Sequence, residues 1–184
     1  MLKISYLIVF FCALFCLGCG ASVSNNGDSS QVTTEESANE NIEEIQGPEY
    51  EQYCNENFDF CVSYPMAALT PLGEYPNGDG QIFESENGQI SLSVYIDKRM
   101  AMDPNLELTF KGLFEQDCAR KDLTVSQKSF TESSYEISGT ENGNPFYQKT
   151  IMKEAGPITC LFVGEAKEKE FIQFNWPSIK ESFK

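Results

Sequence analysis

The chain has 184 residues, 28 acidic side chains against 13 basic ones, a net charge of −15 and no histidine. Without imidazole, Ser-His-Asp and Cys-His nucleophile activation are excluded, and the commonest transition-metal ligand is missing. The basic residues are scattered, so the phosphate-neutralising stripe of a nucleic-acid-binding protein is absent.

Lys3 precedes Ile4 to Leu17, fourteen residues without a formal charge, and the small residues Gly18, Cys19 and Gly20 follow. This reads as a signal peptide over residues 1–18, too short for the about 20 apolar residues of a spanning helix. Cys16-Leu17-Gly18-Cys19 resembles the lipobox of bacterial lipoproteins, although Cys16 and Leu17 stand where such motifs favour Leu and a small residue. The resemblance implies a diacylglyceryl group on the Cys19 thiol and a mature chain beginning at Cys19. The membrane is then a partner through that lipid, and the place of work is the extracytoplasmic side of a bacterial cell envelope. Cleavage after Ala21 and an uncleaved anchor are the alternatives.

Seven cysteines occur, of which Cys12 and Cys16 leave with the signal and Cys19 takes the lipid. The even remainder, Cys54, Cys61, Cys118 and Cys160, fits an exported disulfide protein and allows three pairings. Residues 19–48 carry Asp28, Glu35, Glu36, Glu40, Glu43 and Glu44 with no Lys, Arg or aromatic residue, the composition of a disordered acidic tether. The signal contributes +1 and the tether −6, which leaves −10 on residues 49–184. Those 136 residues are enough for one globular domain with one core.

Tyr53-Cys54 and Phe58 to Tyr64 flank a polar turn and read as a hairpin across which Cys54 and Cys61 face each other. Leu69 to Gly80, rich in Pro and Gly, reads as irregular, and Asn77-Gly78-Asp79-Gly80 as a plain turn rather than a phosphate or calcium loop. Gln81 to Ser85 and Ile90 to Ile96 form a hairpin through Asn87-Gly88, with Phe83 opposite Leu92. Asp103-Pro104 is expected to open a helix through about Ala119, its apolar face running from Leu106 to Cys118. Leu123 to Phe130 alternates as a strand. Tyr135 to Thr140 and Pro145 to Met152 pair around Asn142-Gly143, with Glu136 opposite Lys149, Phe146 over Gly139, and one face wet. Ile158 to Val163 is apolar enough for a central strand, and Lys167 to Phe183 reads as a closing helix interrupted at Pro177.

The expected fold class is therefore α+β, an antiparallel meander of about seven strands with packed helices. The expected disulfides are Cys54–Cys61 and Cys118–Cys160, the second tying the helix face to the central strand. The runs Phe60-Cys61-Val62-Ser63-Tyr64-Pro65 and Asn77-Gly78-Asp79-Gly80-Gln81-Ile82-Phe83, with the final Ser182-Phe183, resemble uncharacterised bacterial proteins of the PsbP-like fold. That resemblance implies a non-catalytic binding or assembly factor and carries no functional residue with it.

No cofactor or metal is expected, since the cysteines contain no C-x-x-C pair. Carboxylate pairs such as Glu84 with Glu86 or Glu132 with Glu136 are the remaining route to catalysis, and each reads more simply as solvated surface. Tyr95 and Tyr147 stand at strand positions that either line a binding face or pack under a helix. Two functions compete: an envelope lipoprotein that binds or scaffolds an unknown partner, and a carboxylate-dependent hydrolase of an envelope polymer.

Overall fold

In a computed structural model, residues 48–102 and 108–184 are described. Cys19, the signal and the tether up to residue 47 lie outside them. Strands β1 (Tyr50–Asn55) and β2 (Phe60–Pro65) form a two-stranded antiparallel sheet. A second, seven-stranded sheet contains β3 (Thr70–Glu74), β4 (Gly80–Glu84), β5 (Ile90–Ile96), β6 (Leu123–Phe130), β7 (Ser134–Glu141), β8 (Asn144–Lys153) and β9 (Gly156–Gly164). Helices α1 (Arg99–Met102) and α2 (Phe110–Cys118) follow β5, and α3 (Lys169–Ser182) closes the chain after one 3₁₀ turn. The fold is α+β, as expected.

The spatial order is β3-β4-β5-β9-β8-β7-β6, antiparallel throughout. A single meander would leave β9 at an edge. Instead β9 enters between β5 and β8, which buries it on both sides and accounts for its apolar run. The Asn87-Gly88 and Asn142-Gly143 turns set the registers expected of them: Phe83 faces Leu92, Glu136 faces Lys149 and Gly139 faces Phe146.

Two cores lie on opposite faces of this sheet. Alternation along β5 and β9 sends Leu92, Val94, Ile158, Cys160 and Phe162 to one face, where Ile172, Trp176, Ile179 and Phe183 of the α3 region and Phe60, Val62 and Tyr64 of β2 cover them. On the other face Phe110 and Leu113 of α2 pack on Tyr135, Ile137 and Phe146.

Four local readings are corrected. β3 forms inside the stretch read as irregular. Its five residues are all exposed, so no apolar alternation marks it, and it is held by backbone pairing to β4 with a shift between Pro71 and Gly73. Helix α2 begins at Phe110, where the Thr109 side chain accepts from the Gly112 N–H; Asp103 to Glu107 lie outside the described residues. Helix α3 runs unbroken through Pro177, because that residue sits on its exposed side, where a missing N–H costs little packing. Finally, β6 does not alternate simply. A bulge between Val125 and Gln127 turns Val125 and Phe130, five residues apart, onto the same α2 face.

Candidate functional site

Cys54 and Cys61 are directly opposed in the β1–β2 register and are joined in a disulfide. The second expected pair is not made: Cys118 and Cys160 are free thiols. The reason is the sheet itself. Cys160 is fully buried beneath α3 beside Ile158 and Phe162, whereas Cys118 packs with the α2 core on the opposite face. Burial pushes both thiols up, away from the reactive thiolate.

A concavity among the described residues follows from where α3 lies. It packs over β2, β8 and β9 and leaves the same face of β6 and β7 uncovered. The opening is a groove of about 630 Å³, continuous with a narrower end of about 220 Å³. Thr124, Ser126 and Gln127 of β6, Ser138 and Thr140 of β7 and Tyr147 of β8 make a floor of hydroxyls and an amide. The β6 bulge is what turns Gln127, opposite Ser138, onto this floor, and the Ser126 hydroxyl donates to the Ser138 carbonyl at 3.1 Å. The wall is one side of α3: Lys169, Gln173, Trp176, Pro177 and Lys180, spaced at four, three, one and three residues as a helical face requires. Trp176, the sole tryptophan of the chain, is only 6% exposed and packs on Tyr147 with ring centroids 5.6 Å apart.

Charge in the groove is unlike charge elsewhere. Glu136 is its one acidic lining residue, and Lys180 holds it at 3.1 Å. Beneath the end of α3, Lys149 donates to the carbonyls of Lys180 and Phe183 at 2.7 and 3.0 Å, capping the helix C-terminus. Burial lowers the Lys149 ammonium, partly offset by Glu136.

On the α2 face a buried polar network escaped sequence reasoning. Arg99 bonds to both carboxylate oxygens of Asp97 and, through Nη1, to Asp117 at 2.6 Å. Asp117 also accepts from the Tyr135 hydroxyl at 2.6 Å and the Gln148 amide at 2.8 Å. Gln148 continues to Thr150 at 3.1 Å, and Thr150 meets Thr159 at 3.0 Å. The Asp97 hydrogen bonds, then Asp117, raise the Arg99 guanidinium far above its ordinary value. Burial, then the Asp117 bond, pushes the Tyr135 phenol up, and Tyr95 nearby is raised to about 12, chiefly by burial. Among the described residues no buried side-chain nitrogen or oxygen lacks a partner, so this network is closed and fixes α1 and α2 to the sheet.

The carboxylate pairs named from the sequence do not form a site. Glu136 is engaged by Lys180, and Glu132 lies exposed in the β6–β7 turn. Glu84 is on β4 and Glu86 in the turn after it. Asp122 and Glu141 stand together on Arg120; burial and Asp122 raise the Glu141 carboxyl, while hydrogen bonds from Glu141 and Arg120 lower Asp122. Both carboxylates are committed to the same Arg120 nitrogen rather than set apart across an open cleft, as a glycosidic bond between them would require. Among the described residues no cluster of three or more Cys, Asp or Glu is placed to hold a metal ion.

No protein-family model matches the sequence, and no curated protein matches it. Among solved structures the chain is similar to the solution structure of cyanobacterial PsbP (CyanoP) from Synechocystis sp. PCC 6803. The TM-score is 0.50 at 12% identity, over 77% of this chain and 95% of that one. The chain has a PsbP-like fold.

Proposed function

We propose that the chain is a non-catalytic lipoprotein of a bacterial cell envelope whose folded domain binds a partner in the groove between α3 and strands β6 to β8. The observation that carries this reading is the groove itself. It is a concavity of about 630 Å³, within the usual range for binding sites, floored by hydroxyl and amide side chains and walled by the only tryptophan. The signal-like leader and Cys19 support the envelope location, and the Cys54–Cys61 disulfide is at home in an oxidising compartment. The hydrolase reading has less support, because the buried acids Asp97 and Asp117 are both engaged by Arg99, and Asp122 and Glu141 share Arg120.

The test is a photo-crosslinking residue placed at Gln173, on the groove wall, and at Ser178, exposed on another side of α3, in cells making the full chain. A discrete adduct at Gln173 and none at Ser178 is expected. No adduct at Gln173, or equal adducts at both sites, overturns the reading.

A further inference from the structure

We propose that the occupant of this groove is an extended acidic segment of a protein partner, with carboxylates about four residues apart that meet Lys169 and Lys180. The inference rests on the binding function proposed above and specifies its ligand. Its first support is charge. Residues 49–184 carry −10, so an acidic segment is repelled by most of the surface, yet the groove has Lys169 and Lys180 on its α3 wall against one acid, Glu136, which Lys180 holds. Among the described residues Lys169 has no carboxylate within 4.0 Å, whereas its neighbour Lys167 is paired with Glu165 at 3.4 Å. Lys128 adds a third cation at the rim, from edge strand β6.

Its second support is length. Lys169 and Lys180 are eleven residues apart on one helix, about 16 Å at 1.5 Å per residue. Four steps of an extended peptide cover about 13 Å at about 3.3 Å each and put both carboxylates on one face, and the flexible lysine stems span the remainder. The floor between the lysines is suited to a backbone: Ser126, Gln127, Ser138 and Thr140 offer donors and acceptors, and Pro177 has no N–H to give to the Gln173 carbonyl above them. The third support discriminates against a sugar polymer. With Trp176 only 6% exposed and packed on Tyr147, the groove lacks the open aromatic face on which a sugar ring would lie.

The experiment uses the full chain in detergent and reads the fluorescence of Trp176, which as the sole tryptophan reports on the groove alone. The probe is a capped pentapeptide with Glu at its first and fifth positions and Ser or Thr between; its Gln counterpart is the control. The Glu peptide should give a saturable change that weakens as salt rises from about 0.05 to about 0.5 M. The Gln peptide, and Lys169→Glu or Lys169→Gln with the Glu peptide, should bind about tenfold more weakly, while Lys167→Glu stays within about twofold of wild type. Circular dichroism of each variant checks the fold. Equal binding of both peptides, or an equal loss in Lys167→Glu, overturns the proposal. Saturation by polygalacturonate but not by peptide assigns the groove to an anionic glycan instead. Binding that appears only after Glu35, Glu36, Glu40, Glu43 and Glu44 are changed to Gln assigns it to the chain's own acidic segment. If Gln173 crosslinks a partner in cells while the Glu peptide leaves Trp176 unchanged, the binding function stands and this ligand class falls.

Discussion

Asp117 accepts hydrogen bonds from Arg99, Tyr135 and Gln148, which belong to α1, β7 and β8, and it is only 2% exposed. Removing it leaves a guanidinium, a phenol and an amide facing an apolar gap, so Asp117→Ala should cost about 3 kcal/mol, read from urea unfolding. A cost under about 1 kcal/mol would show that the network is not what fixes α2. A second prediction concerns tyrosine. Tyr53 donates to Glu74 at 2.8 Å and Tyr64 to Glu51 at 2.5 Å; burial first, then these bonds, raise both phenols to about 12. A folded value above the unfolded one of about 10 makes this stability fully present below about pH 10. It is lost as pH rises through about 12, and parallel curves of stability and tyrosinate absorbance should show it. Neither residue set was legible in the sequence. A buried Asp looks like any surface Asp until three partners from distant segments converge on it, and helical periodicity pointed to Cys118, the neighbour of Asp117, for the buried face.

The elements were more legible where a local signal fixed them. Asn-Gly turns set two hairpins and their registers: Asn142 and Gly143 both reach positive φ, at 52° and 87°, whereas in the Asn87-Gly88 turn only Gly88 does, at 68°. What could not be read depended on long-range partners: exposed β3 exists because β4 offers it a ladder, and the β6 bulge exists because Val125 and Phe130 both need the α2 core. Cysteine parity misled for the same reason, as it counts thiols without knowing which face of the sheet each occupies. Non-reducing peptide mapping should therefore find Cys54 joined to Cys61 and no Cys118–Cys160 peptide. Reduction of the short loop should cost about 2 kcal/mol. Cys160→Ser should cost about 1 to 3 kcal/mol by burying a hydroxyl, more than Cys118→Ser at its half-buried site. Finding Cys118 bonded to Cys160 in the folded protein would contradict the two-faced arrangement.

At the scale of the whole molecule, the two faces of the sheet have different roles. The α2 face is closed by aromatic packing and the Arg99 network, whereas the α3 face is closed over β8 and β9 and open over β6 and β7. The proposal for the chain joins that opening to a lipid on Cys19, and mass spectrometry of the mature N-terminus should find Cys19 acylated. An unmodified chain beginning at Ser22 would remove the anchor. The central claim, that the open face is occupied where the protein works, is tested most directly by thiol footprinting of Gln173→Cys in intact cells and in the purified chain. The account predicts that this thiol is labelled readily when purified and about tenfold more slowly in the envelope, while Ser178→Cys is labelled alike in both. Equal labelling of Gln173→Cys in both settings would contradict it.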